Sequence, residues 1–350
     1  YGMANIQFTD CSPVFVVGAS RSGTTLLQLL MNAHPNITVS GELHYFDTIL
    51  QLKKMVPTIE SDENLKDFFA HLPRVSGFQY LPRIDDVLEK VHERLRQEDS
   101  RSYEKFYYFL LKEYALLEKP TSRFGEKTPE NIRYLEQIIE IFPNAKIIHI
   151  VRDPRDVVSS MLKVSWTAND VVMNTLKWKC DMFCGIEFSL KHPSAYLEIR
   201  YEDLALKSEV QLTSVCKFLN EPYDCRMLEF HTDSRAHIKD EPWKEGTFNS
   251  VNSASIGKWK TDLSAARVHI IESVAGNLFS RFGYEKAKTS LTTRLVFPVV
   301  FISELLNYCA YKFQDRQERK KTENAKLIFG ESEKLHSLFL RVVSGRHPKG

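Results

Sequence analysis

Residues 14–27 read Val14-Phe15-Val16-Val17-Gly18-Ala19-Ser20-Arg21-Ser22-Gly23-Thr24-Thr25-Leu26-Leu27. A short apolar, β-branched run enters a loop bounded by glycines, and the loop opens directly into an apolar helical pattern. A strand–loop–helix unit of this kind gathers backbone N–H groups and the positive end of a helix around one point, a cradle for phosphate oxygens. The interval from Gly18 to Gly23 is that of a P-loop, yet Thr24 stands where a nucleoside triphosphatase carries lysine, and Thr25 follows it. A cation is supplied earlier, by Arg21. The stretch therefore predicts a phosphate site whose ligand is not a hydrolysable ATP or GTP. Read alone, it is also compatible with a structural turn in which Thr24 or Thr25 caps the helix.

A second strand-to-helix junction follows the same plan. Ile147-Ile148-His149-Ile150-Val151 ends abruptly in Arg152-Asp153-Pro154-Arg155-Asp156 and an apolar pattern that includes Ser160. Asp153 suits the N-cap, and Pro154 the first helical position, where its missing N–H is not needed. Arg152 falls at the carboxyl end of a strand, where open α/β sheets bind ligands. Ser160, about two helical turns further on, can share a ligand with Arg152 only if the chain bends back or the ligand lies along the helix. Alone, the junction also fits an Arg–Asp pair at a helix start.

Three further segments complete the set: Gly125-Glu126-Lys127-Thr128-Pro129-Glu130-Asn131, Arg200-Tyr201-Glu202-Asp203-Leu204, and Ser255-Ile256-Gly257-Lys258-Trp259-Lys260. With the two junctions, and in this order along residues 12–285, the chain resembles the sulfotransferase superfamily that uses 3′-phosphoadenosine 5′-phosphosulfate (PAPS), in the branch of tyrosylprotein and bacterial small-molecule sulfotransferases. The resemblance implies a three-layer α/β, P-loop-like fold with a central parallel sheet flanked by helices. It implies that Arg21, Ser22, Gly23, Thr24 and Thr25 hold the 5′-phosphosulfate and that Arg152 and Ser160 hold the 3′-phosphate. Tyr201, Ser255, Gly257, Lys258 and Trp259 would complete the nucleotide site, Trp259 by stacking on adenine or as a buried structural residue. It also implies Glu42, in Ser40-Gly41-Glu42-Leu43-His44, as the general base, and Lys127 at the leaving oxygen. Arg21 would stabilise charge developing on the sulfuryl group. His44 is the alternative base, with His231 and His237 behind it. The plainer readings are a surface carboxylate or Arg21 partner for Glu42, and for Lys127 a Glu126–Lys127 region capping a 130–142 helix that starts at Thr128 or Pro129.

A transferred sulfonate carries a single negative charge, so positioning and charge stabilisation suffice, and no metal is expected. Composition agrees with an enzyme of this kind. The chain has 350 residues, 43% hydrophobic and 26% charged, enough for a large buried core. A net charge of +2 argues against a nucleic-acid binder and for a hydroxyl or amine of a small-molecule acceptor over an acidic polysaccharide, with a carbohydrate or a peptide tyrosine as the alternative. The six cysteines form no close-spaced framework, and no leader pattern opens the sequence, so reduced thiols in a cytoplasmic protein are expected.

Strands are expected at Val14–Val17, Ile147–Val151 and Ala195–Arg200. Apolar periodicity predicts helices through 84–95, 103–117, 132–142, 167–191 and 203–219. The helical insertion at 45–120, rich in aromatics, is read as an acceptor-binding cap, and the aperiodic 231–258 as a lid loop. Residues 286–350 read as a helical extension. Its apolar stretch would pack on the main domain or a second subunit, with peripheral membrane contact through 291–313 as the alternative. Two rival classes remain, a P-loop kinase or triphosphatase and a nucleotide-binding protein without turnover. Thr24 opposes the first; the presence of Arg21, Glu42, Lys127, Arg152 and Ser160 together opposes the second.

Overall fold

A computed structural model of the chain describes residues 8–75, 81–120, 123–164, 167, 169–229, 253–288, 300 and 302. Most of the lid expected at 231–258 and nearly all of the extension expected at 286–350 lie outside these residues, as do His231 and His237. The chain begins with β1 (Val14–Gly18), α1 (Thr24–Asn32) and β2 (Ile37–Ser40). Four helices follow, α2 (Tyr45–Met55), α3 (Asp62–Val75), α4 (Ile84–Gln97) and α5 (Tyr103–Glu118). Then come β3 (Arg123–Lys127), a 3-10 turn (Pro129–Arg133), α6 (Leu135–Ile141), β4 (Lys146–Val151), α7 (Pro154–Met161) and α8 (Val171–Lys191). The described part closes with β5 (Tyr196–Arg200), α9 (Tyr201–Leu206), α10 (Ser208–Leu219), α11 (Trp259–Asp262), α12 (Ala265–Ala275) and α13 (Asn277–Arg281).

The strands form one five-stranded sheet in the order β2-β3-β1-β4-β5, parallel throughout. β1 is central because every residue in it is apolar or glycine and buried. Alternation sends Phe15 and Val17 to one face, among α2–α5, and Val14 and Val16 to the other, among α1, α9 and α10. Helices thus cover both faces of an all-parallel sheet, the three-layer arrangement that the crossovers of such sheets require. Each large apolar side chain sealed between the layers contributes roughly 1.5–3 kcal/mol relative to exposure.

The three strands expected from apolar runs are present; β2 and β3 were not anticipated. Ile37-Thr38-Val39-Ser40 is short, and Arg123-Phe124-Gly125-Glu126-Lys127 carries charge at both ends. The 45–120 insertion consequently lies between β2 and β3. Most of its aromatic side chains form core: Tyr45 stacks on Tyr107 with centroids 3.7 Å apart, and Phe68 meets Phe106 edge-on at 4.8 Å. Residues expected as one helix through 203–219 form α9 and α10, and the 132–142 pattern begins as the 3-10 turn.

Gly125 lies opposite Val14 in the β1–β3 ladder, where a Cβ would stand 1.8 Å from the Val14 carbonyl oxygen. Backbone cannot yield as a side chain can, so Gly125→Ala is expected to lose at least the roughly 1–3 kcal/mol of ordinary overpacking. A thermal melt within a degree of the wild type would contradict this strand pairing.

Candidate active site

Loop 18–23 leaves β1 at the carboxyl edge of the sheet and delivers its backbone to the start of α1. Two residues take left-handed backbone there, Arg21 at φ 71° and Gly23 at φ 97°. Gly23 is the N-cap of α1, so no side chain caps that helix, and Thr24 and Thr25 are its first helical residues. The simple capping reading of the threonines is therefore not what the chain adopts. No other residue fits at 23: a Cβ would sit 2.4 Å from the Tyr201 ring. The opening turn of α1 keeps N–H groups that the helix itself does not use, facing the side on which the dipole is positive.

Charged and polar side chains converge on this turn. Arg21 Nε donates to Ser160 Oγ at 2.9 Å, so Ser160 reaches the loop from α7. Arg152 donates to the Arg21 carbonyl at 3.0 Å and to the Ser255 carbonyl at 2.6 Å, and its guanidinium lies 4.3 Å from the Tyr201 ring centre. Arg21, Arg152, Ser160, Tyr201 and Ser255 are thereby joined in one cluster rather than two distant sites. Arg152 Nε and Ser22 Oγ are buried and make no hydrogen bond among the described residues. Buried polar atoms left this way cost free energy, so an anionic ligand that meets them fits the site.

The segment 253–262 is held by a stripe along α7 and the residues flanking it that the sequence reading did not recognise. Asp156 accepts from the backbone N–H of Gly257 at 2.7 Å and of Trp259 at 2.9 Å. Arg155 lies 4.0 Å from the Trp259 ring, while Ser159 and Lys163 donate to Asp262 at 2.9 and 2.5 Å. Positions 152, 155, 156, 159 and 163 recur at helical spacing, which was the available signal. Trp259 is half-buried with Arg155 against its ring, and Lys258 is exposed beside it.

Glu42 and Lys127 meet because β2 and β3 are neighbours in register, Ser40 opposite Glu126. Glu42, just past the end of β2, thus faces Lys127, the last residue of β3, and Lys127 Nζ lies 2.5 Å from Glu42 Oε1. Lys127 is also opposite Val16, close to the start of the phosphate loop. His44 approaches the other carboxylate oxygen, Nε2 to Oε2 3.5 Å, from a left-handed backbone position at φ 47°. Burial works against charge on the imidazole. The hydrogen bond and charge of Glu42, with Glu130 and Asp47 adding, outweigh burial and raise its pKa to about 9. In the protonated form that Glu42 favours, His44 has no lone pair with which to accept a proton, so this setting favours Glu42 over His44 as the base.

The 3-10 turn ties these parts together. Glu130 accepts from Ser20 in the phosphate loop, Asn131 donates to Glu126 in β3, and Arg133 pairs with Asp181 in α8 at 2.8 Å. The Thr128 hydroxyl accepts from the N–H groups of Leu43 and His44 at 3.1 and 3.4 Å. Charge on a raised histidine stabilises the fold fully below its unfolded value of 6.5, and this contribution is lost as pH rises through about 9. An NMR titration of His44 is expected to show its midpoint near 9, moving down towards 6.5 in Glu42→Gln. A wild-type midpoint already at 6.5 would contradict the Glu42–His44 contact.

The model of the Sulfotransferase family matches residues 13–225. An uncharacterised protein of Aquifex aeolicus is 26% identical over 260 residues, which cover 71% of this chain and 30% of that protein. Protein-tyrosine sulfotransferase 1 of Danio rerio is 25% identical over 290 residues, covering 79% of this chain and 73% of the relative. This chain thus spans about a third of the first relative and most of the second. Among solved structures, the sulfotransferase domain of the Synechococcus PCC 7002 olefin synthase superposes with a TM-score of 0.59 at 20% identity, covering 81% of this chain and 99% of that domain. That likeness bears on the fold, which it shares. With more than half of its length matched by the family model, the chain belongs to the sulfotransferase family.

Proposed function

We propose that this enzyme moves the sulfuryl group of PAPS to a hydroxyl, or less readily an amine, of a small-molecule acceptor by in-line displacement. The observation that carries the reading is the buried pair of unmet polar atoms, Ser22 Oγ and Arg152 Nε, beside a helix start without a side-chain cap. An adenosine nucleotide with phosphates at both its 5′ and 3′ positions supplies two anions to this one cluster. The N–H groups of residues 22–25, with the Thr24 and Thr25 hydroxyls, would take the 5′-phosphate. Arg152 and Ser160 would take the 3′-phosphate, beside Tyr201, Ser255, Gly257, Lys258 and Trp259.

Glu42 is the base in this reading. It accepts the proton of the acceptor hydroxyl as the acceptor oxygen bonds to sulfur and the bond from sulfur to the 5′-phosphate oxygen breaks. Lys127, between Glu42 and the phosphate loop, and Arg21 stabilise the charge that passes to the leaving oxygen. His44 lies beside the second oxygen of the Glu42 carboxylate, at 3.5 Å. The net charge of +2 supports a small metabolite over an acidic polysaccharide. A peptide tyrosine is the second reading, favoured by the similarity to the Danio rerio protein-tyrosine sulfotransferase over 290 residues.

Incubation with PAPS and a panel of phenols, alcohols, amines and tyrosine peptides, read by mass spectrometry, is expected to give a sulfated small molecule. Sulfation of tyrosine peptides alone would select the second reading. Glu42→Gln is expected to bind 3′-phosphoadenosine 5′-phosphate as the wild type does and to lose turnover by about 10²-fold or more. Undiminished turnover would refute the assignment of Glu42 as base.

A further inference from the structure

Thr128 occupies the N-cap of the 3-10 turn, followed by Pro129 at the first position, the arrangement of an ordinary helix start. A threonine there normally turns its hydroxyl onto the next N–H groups of its own turn. This one does not: its side chain makes no capping bond to the turn. The hydroxyl reaches across to the chain entering α2, where it accepts from the N–H groups of Leu43 and His44. His44 is the N-cap of α2 and likewise offers no side-chain cap to its own helix. Thr128 is therefore the side chain that meets donors at the start of α2, and those donors flank the peptide unit next to Glu42.

A hydroxyl has one hydrogen to donate and two lone pairs to accept with. Both lone pairs of Thr128 are engaged by the two N–H groups. Beside it stands Glu126, fully buried, whose carboxyl burial pushes up to about 7 while Thr128, Tyr107 and Asn131 act to lower it. Asn131 donates to the same carboxylate from within the turn. Three successive residues of one segment thus do three different things. Glu126 is the buried anchor, Lys127 takes the Glu42 carboxylate, and Thr128 takes the backbone beside Glu42.

We propose that Thr128 is a positioning residue for the base, its hydroxyl fixing the Leu43–His44 backbone so that the Glu42 carboxylate stands against Lys127. The proposal rests on the reading of Glu42 as base for its kinetic consequence, though not for its geometric one. Side-chain pairing alone leaves a carboxylate free to swing about its own torsions. With the backbone held as well, the oxygen that accepts a proton is confined, and a misplacement of about 1 Å can cost roughly 10²-fold in rate. Serine has the same one donor and two acceptors as threonine. Valine has the same shape and neither, and alanine leaves space without restoring either.

The test compares Thr128→Ser, Thr128→Val and Thr128→Ala in the full chain. Thr128→Ser is expected to keep kcat within about twofold of the wild type. The other two are expected to lose roughly 10- to 100-fold in kcat while binding 3′-phosphoadenosine 5′-phosphate with unchanged affinity, since the phosphate loop is untouched. If Thr128→Val fails to bind the nucleotide because it fails to fold, the contrast of Thr128→Ser with Thr128→Ala carries the same information. A structural role in packing alone would leave the valine variant active or make the serine variant as slow as the others. Either outcome overturns the proposal. The NMR titration of His44 serves as a readout that needs no turnover. Its midpoint stays near the wild-type value in Thr128→Ser and falls in Thr128→Val and Thr128→Ala as His44 and Glu42 separate. Midpoints equal in all four proteins overturn the proposal even if no acceptor is ever found. A displaced midpoint together with a wild type that turns over no acceptor would instead fault the reading of the function.

Discussion

A helix that starts without a side-chain cap, at the carboxyl end of the central strand, is the constraint from which the rest of this site follows. Gly23 has no side chain to offer α1, and the Tyr201 ring leaves no room for a residue that has one. Arg21 holds a left-handed backbone that costs a non-glycine residue roughly 1–2 kcal/mol. Ser22 and Arg152 each bury a polar atom without a partner among the described residues, at about 1–3 kcal/mol apiece. Such costs collect where a ligand is to be met, and here they all surround one turn of helix. A bound anion would satisfy the N–H groups, the hydroxyl and the guanidinium together.

Sheet order brings the proposed reacting groups to this turn. The central position of β1 places the phosphate loop between β3 and β4, so Lys127 arrives from one side and Arg152 from the other. The parallel register of β2 with β3 then brings Glu42 to Lys127 across 85 residues of sequence, with the whole helical insertion α2–α5 looped out between them. α7 adds a second layer of control, since Asp156 holds by backbone bonds the segment whose Ser255 carbonyl meets Arg152. The proposed donor site, the proposed base and the segment carrying Ser255 are thus fixed by four neighbouring strand ends and one helix.

Much of this was legible in the chain, for reasons that separate cleanly. β1 and the apolar part of β4 are continuous apolar runs, buried on both faces, and such runs declare themselves. The phosphate loop and the Arg152–Ser160 junction are local, so their meaning lies in adjacent residues. β3 hid because Glu126 and Lys127, its last two residues, are buried charges serving the site, and charge normally argues against an interior strand. Glu42 and Lys127 were each expected from family resemblance, but that they meet depends on strand register, which no local pattern encodes. Thr128 was read as part of a helix cap. It does stand at the cap position, but its hydroxyl bonds to residues 84 and 85 positions away. The α7 stripe was present at helical spacing and went unread because its partner segment shows no periodicity of its own.

The central claim is that one cluster clamps two phosphates of a single nucleotide. Isothermal titration of 3′-phosphoadenosine 5′-phosphate against adenosine 5′-phosphate, in wild type and in Arg152→Ala, tests it most directly. The account predicts that the bisphosphate binds at least about 10²-fold more tightly, equivalent to roughly 2.7 kcal/mol, and that Arg152→Ala removes most of that difference. Equal affinities for the two nucleotides in the wild type, or a preference for ATP–Mg²⁺ over both, would contradict it.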